Sequence, residues 1–152
     1  LTNGHLDILE RAVRMFDKVI VTVAVNKRKN AVFTGDERVE LIKETISRFD
    51  WSENVEVEQF TKLLIDFARK KNVPVLLRGV RQISDFEYEF RMALTNRRLA
   101  PEVDTIFMMP DEQLTFICAT IGKEVAAWGG DLSSFVPDNV ARALRAKFKE
   151  GN

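Results

Sequence analysis

Apolar positions along this chain switch between two rhythms, a helical one and short β-branched runs. Leu6, Leu9, Val13 and Phe16 recur at helical spacing, which predicts an amphipathic helix over residues 4–16. Residues 18–25, KVIVTVAV, predict a buried strand, and the polar residues 26–30 a loop. Thr34 followed by Glu37 makes a capping box and opens a helix running to residue 49. A strand over 54–60 and a helix over 63–71 come next. A strand over 73–77 follows, broken by Arg78 and Gly79. Ser84 with Glu87 reads as another capping box, starting a helix that ends near residue 99. Residues 104–109 predict a strand stopped by Pro110, and helices follow over 117–128 and 137–149, separated by Gly129 and Gly130. Strands alternating with helices imply parallel pairing in a doubly wound α/β sheet, whose ligands sit beyond the carboxyl ends of the strands. A parallel sheet feeds its first helix from a strand, whereas here the first element is a helix opening at Gly4 and His5. The expectation is therefore a strand ahead of Leu1.

Composition narrows the picture. The 152 residues suit a single domain. Twenty-three basic residues balance 23 acidic ones, which argues against non-specific nucleic-acid or membrane-surface binding and leaves room for local basic clusters. Cys118 is the only cysteine, so an internal disulfide and a cysteine-rich zinc site are excluded; a reducing, cytoplasmic setting is the simpler reading. No apolar run reaches the roughly 20 residues that span a bilayer.

Candidate chemistry collects at predicted segment ends. His5, the sole histidine, stands in Thr2-Asn3-Gly4-His5 at a helix start, where unpaired N–H groups and the helix dipole suit a phosphate; equally, Asn-Gly is an ordinary turn and His5 a surface residue. Lys27, Arg28 and Lys29 could clamp a polyanion or form a solvated turn. Arg78 and Arg81 follow a strand and flank Gly79 and Val80. They can bind phosphate bidentately, or pair with Asp85, Glu87 or Glu89. Leu114 to Lys123, LTFICATIGK, leads into a helix that Thr115 or Thr120 could cap, with N–H groups facing a ligand. Phe86, Tyr88 and Phe90 read as packing more than base stacking. There is no metal-ligand spacing, no Walker lysine motif and no serine–histidine–acid arrangement.

TNGH, the basic loop before FTGDERVELI, LLRGVRQISDFEYEFRMALTNRRL, TIFMMP and KEVAAWGGDLSSFVPDNVARAL together resemble phosphopantetheine adenylyltransferases over nearly the whole chain. RGVRQISDFEYE followed by NRRL is the most specific stretch. The resemblance implies one nucleotidyltransferase domain over 1–152, with a Rossmann-like fold, that moves AMP from ATP onto 4′-phosphopantetheine, giving dephospho-coenzyme A and pyrophosphate, with magnesium as cofactor and a homohexamer as assembly. It implies a transition-state role for His5 on the ATP phosphates. Lys29, Leu64 and Arg78 would meet the acceptor. Gly79, Val80, Arg81, Glu89 and the segment Leu114, Thr115, Phe116, Ile117, Cys118, Ala119 and Thr120 would contact ATP.

Two departures accompany the resemblance. Family members precede TNGH with a strand and a turn ending in Asp-Pro, which these residues do not contain, and their phosphate loop carries serines where this chain has Cys118 and Ala119. Two other readings follow: a related nucleotidyltransferase with another acceptor, and a catalytically weakened nucleotide- or coenzyme A-binding protein.

Overall fold

The computed structural model describes residues 1–25 and 31–150. In chain order the elements are α1 (Asn3–Ala12), β1 (Val19–Ala24), α2 (Gly35–Ile46), β2 (Val55–Phe60), α3 (Leu64–Lys70), β3 (Val75–Gly79), α4 (Ile83–Leu99), β4 (Asp104–Met108), α5 (Ala119–Ala127) and α6 (Asp138–Glu150). Short 3-10 turns lie at Asp50–Asn54 and Glu112–Leu114. Both strand pairings are parallel, as alternating strands and helices predict: β1 with β2 from Val19↔Val55 to Ala24↔Phe60, and β3 with β4 from Val75↔Asp104 to Gly79↔Met108. The described strands form these two ladders as separate two-stranded sheets.

Helix α1 reaches both ladders. Leu9 and Val13 pack with Val23, Ile42, Ile46 and Val55, so one side of α1 closes over β1, β2 and α2. On the other side, a Cβ added to Gly79 would sit 2.7 Å from Ile8 Cδ1, so glycine lets the end of β3 lie against α1. Arg11 Nη1 donates to the Met109 carbonyl at 2.6 Å, and the Asp7 carboxylate accepts the Asp111 N–H at 3.1 Å, tying the end of β4 to the same helix. A second cluster joins Ile65 and Ala68 of α3 to Leu76, Ala100 and Val103. A third packs α5 and α6 around fully buried Leu132. Helix α6 is pinned to α2 through polar atoms as well: Thr45 and Asn139, both buried, hydrogen-bond each other at 3.0 Å, and the Asn139 amide donates to Leu41 O. Inside a core such groups are tolerated only when satisfied.

Helix ends show where local chemistry prevailed. Gly129, at φ 72°, closes α5: its N–H bonds Ala126 O and that of Gly130 bonds Val125 O, a Schellman motif. Asn72 does the same for α3 at φ 53°, with Val73 N–H on Ala68 O. Several predicted boundaries move. Helix α1 ends at Ala12 rather than residue 16. Helix α4 begins at Ile83 with Gln82 as its cap residue, so Ser84 and Glu87 form no capping box; the Asp85 and Phe86 N–H groups bond Gln82 O and close the first turn before Ser84 can cap it. Strand β3 runs through Arg78 and Gly79 instead of breaking there, because pairing with β4 continues and the Val80 N–H extends it onto Met108 O at 2.9 Å.

Candidate active site

The start of α1 is built from four adjacent residues. Thr2, the cap residue, accepts the His5 N–H on its hydroxyl, while Nδ1 of His5 accepts the Thr2 backbone N–H at 3.2 Å and lies 2.6 Å from Thr2 Oγ1. Asn3 holds the loop before α6: its N–H bonds Phe135 O, and its amide bonds the carbonyls of Ser133 and Ser134. The free donor set here is thus smaller than a bare helix start offers, since the N–H groups of Asn3 and His5 are already engaged. Gly4 is buried against Leu114, whose carbonyl lies 3.7 Å from where a Cβ would stand. That contact brings the 114–120 segment beside the histidine's turn.

The His5 imidazole remains reachable by solvent, yet it is crowded enough that desolvation pushes its pKa down to about 4. The positive charges of Arg81 and Arg78 act in the same direction. At neutral pH the ring is therefore uncharged, and both arginines lie within electrostatic reach of it.

Those arginines do pair with acids, as one of the two readings of the sequence has it, and the acids are on α4. Arg78 at the end of β3 makes a bidentate pair with Glu89, at 2.7 Å and 2.8 Å. Arg81 holds Asp85 through Nε and Nη2, and its Nη1 donates to Ile117 O at 2.7 Å. Glu87 takes neither arginine among the described contacts. A guanidinium has five N–H donors, so each arginine keeps donors for an anion while its carboxylate fixes the fork. Val80 between them is buried and packs as core.

The segment after β4 folds into the Glu112–Leu114 turn, where the Thr115 hydroxyl donates to Glu112 O. Ile117 is buried and anchors the segment, while Phe116 is exposed and meets Phe135 edge-on. Neither Thr115 nor Thr120 caps α5. Cys118 does, its sulfur accepting the Ile121 N–H at 3.4 Å. Thr115 is already committed to its own turn, and Thr120 lies one residue inside the helix. The first-turn N–H groups of Ala119 and Thr120 have no intrahelical partner, so the backbone donors survive where hydroxyls do not.

Leu64 opens α3 just beyond the carboxyl end of β2 and packs on the α3–β3 cluster, without a described contact to His5 or either arginine. Lys29, with Lys27 and Arg28, lies outside the described residues. Phe86 stacks on Phe90 and sets its edge on Phe107, so these two rings are packing; Tyr88 is exposed. One contributor was not singled out from the sequence. Thr2 orients the histidine, and the signal was the cap-to-third-turn-residue spacing of Thr-x-x-His. Among the acids that the sequence offers as partners, Asp85 is the one that fixes Arg81. No group of three or more His, Cys, Asp or Glu side chains that could cage a metal ion occurs among the described residues. Likewise no described helix is long and apolar enough to cross a membrane.

Comparison with known proteins bears on this arrangement. The sequence model of the cytidylyltransferase-like family matches residues 1–125. Over 147 residues the chain is 48% identical to a phosphopantetheine adenylyltransferase of Alkaliphilus metalliredigens (strain QYMF), covering 97% of this chain and 92% of that protein. A parallel α/β chain with a histidine, two arginines and a helix start gathered at its strand ends therefore belongs to the cytidylyltransferase-like nucleotidyltransferases and, among them, to the phosphopantetheine adenylyltransferase family.

Proposed function

We propose that this enzyme transfers the adenylyl group of ATP to 4′-phosphopantetheine, yielding dephospho-coenzyme A and pyrophosphate. The observation that carries the reading is the junction at Arg81, which clasps Ile117 O while its charge acts on His5. An oxygen of the acceptor's terminal phosphate attacks the α-phosphorus in line. The bond from that phosphorus to the bridging oxygen breaks, and pyrophosphate leaves with the electron pair. A phosphate nucleophile is already ionised near neutrality, so alignment and charge stabilisation govern the rate. His5 donates to developing charge, Arg81 and the Ala119 and Thr120 N–H groups hold the triphosphate beside Gly79, Val80 and Glu89, and Arg78, Lys29 and Leu64 position the acceptor. Magnesium, where bound, would ride on the triphosphate and offset charge on the departing pyrophosphate. Pyrophosphate release from ATP, dependent on 4′-phosphopantetheine, tests the reaction. Release at background would overturn it, and release with a different acceptor would favour a related transferase.

Self-association belongs to the same proposal, with a homohexamer as the expected assembly. Its support is α4, 17 residues of which none is buried. Ile83, Phe86, Phe90 and Leu94 form one apolar stripe, and Phe86 turns it toward β4. Tyr88, Met92 and Leu99 form a second on the opposite face, with exposures of 59%, 40% and 49%. A helix apolar on both faces suits a position between two surfaces, and its own chain supplies one. Acidic Asp85, Glu87 and Glu89 precede basic Arg91, Arg97 and Arg98, so two copies related by a two-fold axis would set acid beside base. Sedimentation velocity on the protein and on Met92→Glu tests this, the variant being expected to shift toward smaller species. A cytoplasmic setting completes the proposal, in keeping with a single unpaired cysteine.

A further inference from the structure

Thr2 supplies every hydrogen bond that the His5 ring makes among the described residues. Its backbone N–H can only donate, and it points at Nδ1 from 3.2 Å. Its hydroxyl oxygen accepts the His5 N–H and stands 2.6 Å from the same ring nitrogen, where it can donate to Nδ1 or accept from it according to the tautomer. The backbone N–H has no such choice, and a proton on Nδ1 would confront it. That fixed donor favours the neutral ring with its hydrogen on Nε2. Thr2 is buried, at 5% exposure, and cannot easily exchange these bonds for water.

We propose that Thr2 is a positioning residue for adenylyl transfer: it locks His5 as the neutral Nε2–H tautomer, so that the ring meets the phosphates as a hydrogen-bond donor rather than as a base. The proposal rests on the adenylyl-transfer reading for its catalytic consequence but not for the tautomer itself. The nearby charges of Arg78 and Arg81 support it, since they oppose a second proton on the ring. A donor already neutral when the nucleotide arrives needs no proton exchange before the α-phosphate develops charge.

The chain has one histidine, so imidazole ¹⁵N signals from histidine-labelled protein need no assignment. The protein without substrate should show an unprotonated Nδ1 and a protonated Nε2 at pH 7.5. Thr2→Val keeps the β-branched shape and the backbone N–H but loses the hydroxyl. It should give mixed tautomers and a kcat lower by roughly tenfold per folded molecule, the rate equivalent of one hydrogen bond, with KM for ATP little changed. Thr2→Ser should restore both signals and rate. A purely structural cap would lower the folded fraction of Thr2→Val and leave tautomer and kcat per folded molecule alone, and that result would overturn the proposal. A protonated Nδ1 in the parent protein would overturn it too, whether or not any variant folds. Failure of pyrophosphate release with the expected ¹⁵N pattern would instead sink the adenylyl-transfer reading and with it the catalytic half of the proposal.

Discussion

Helices α1 and α4 both carry side chains to the carboxyl ends of the strands, and they are held there by different means. Over 10 residues α1 buries Gly4, Leu9 and Ala12 and starts with a reciprocal cap. Over 17 residues α4 has no fully buried residue and no side-chain cap. Besides the edge of Phe86 on Phe107, what orients α4 near the site is a pair of arginine–carboxylate forks, Arg78 on Glu89 and Arg81 on Asp85. Apolar burial is non-directional but strong, about 1.5–3 kcal/mol for a large aliphatic side chain. Ion pairs near the surface are directional but contribute about 0–1 kcal/mol each. So α1 can place an atom, His5 Nε2, against a rigid background, whereas α4 can orient guanidinium groups but adds little to the stability of its own protomer.

The sharpest way to break that contrast is to truncate one leucine on each helix. Leu9, 6% exposed, sits where α1 meets β1, β2 and α2; Leu9→Ala should cost about 2–5 kcal/mol in urea unfolding. Leu94, 54% exposed, should cost under about 0.5 kcal/mol as Leu94→Ala, measured on dissociated protomers. Equal losses would mean that α4 is as integral to the fold as α1. In catalysis the contrast takes a different form. His5→Ala should lower kcat by roughly 100- to 1,000-fold, the usual loss for one preorganised donor, with ATP affinity nearly intact. Arg78→Ala should mainly raise KM for the acceptor. Parental kinetics in both variants would displace the proposed site.

A pH series sharpens the same comparison with a smaller effect. The His5 pKa falls from an ordinary 6.5 in the unfolded chain to about 4 in the fold. Between those values the unfolded chain binds the extra proton, so stability must rise with pH across that window. The contribution is complete above pH 6.5 and lost as pH falls toward 4. His5→Gln should therefore lose less urea stability than the parent between pH 7.5 and pH 5. Parallel pH profiles would mean that the ring titrates normally in the fold.

Much of this was legible in the residues. Val- and Ile-rich runs marked the strands, the Gly129–Gly130 pair marked the end of α5, and His5, Arg78 and Arg81 were recognisable as phosphate chemistry. Their ion pairs were legible too, but only as an alternative, because a sequence shows that acids are near without showing which carboxylate turns inward. The division of the described strands into two ladders could not be read from periodicity, which reports that a strand exists and not what lies beside it. The helix starts failed for a different reason. A hydroxyl residue with Glu at the third turn position is a real signal at Thr34 and Glu37, a false one at Ser84 and Glu87, and an unrecognised one at Thr2, whose partner is a histidine.

Two hydroxyl deletions make that last difference measurable. Thr34 Oγ1 accepts the Glu37 N–H at 3.2 Å, and Glu37 returns the bond to the Thr34 N–H at 2.7 Å. Glu37 also reaches Lys147 of α6 at 2.7 Å, so this cap ties two helices together as well as closing one. Thr34→Ala should thus cost about 1 kcal/mol, within the roughly 0.5–2 kcal/mol range for lost caps. Ser84 stands inside the first turn of α4, behind Gln82, whose carbonyl already takes the Asp85 and Phe86 N–H groups. It makes no capping bond to lose, and alanine is the better helix former at such a position. Ser84→Ala should therefore move the urea midpoint by less than about 0.5 kcal/mol, in either direction. A loss as large as that of Thr34→Ala would place the start of α4 at Ser84, and the first turn closed on Gln82 O would then be absent.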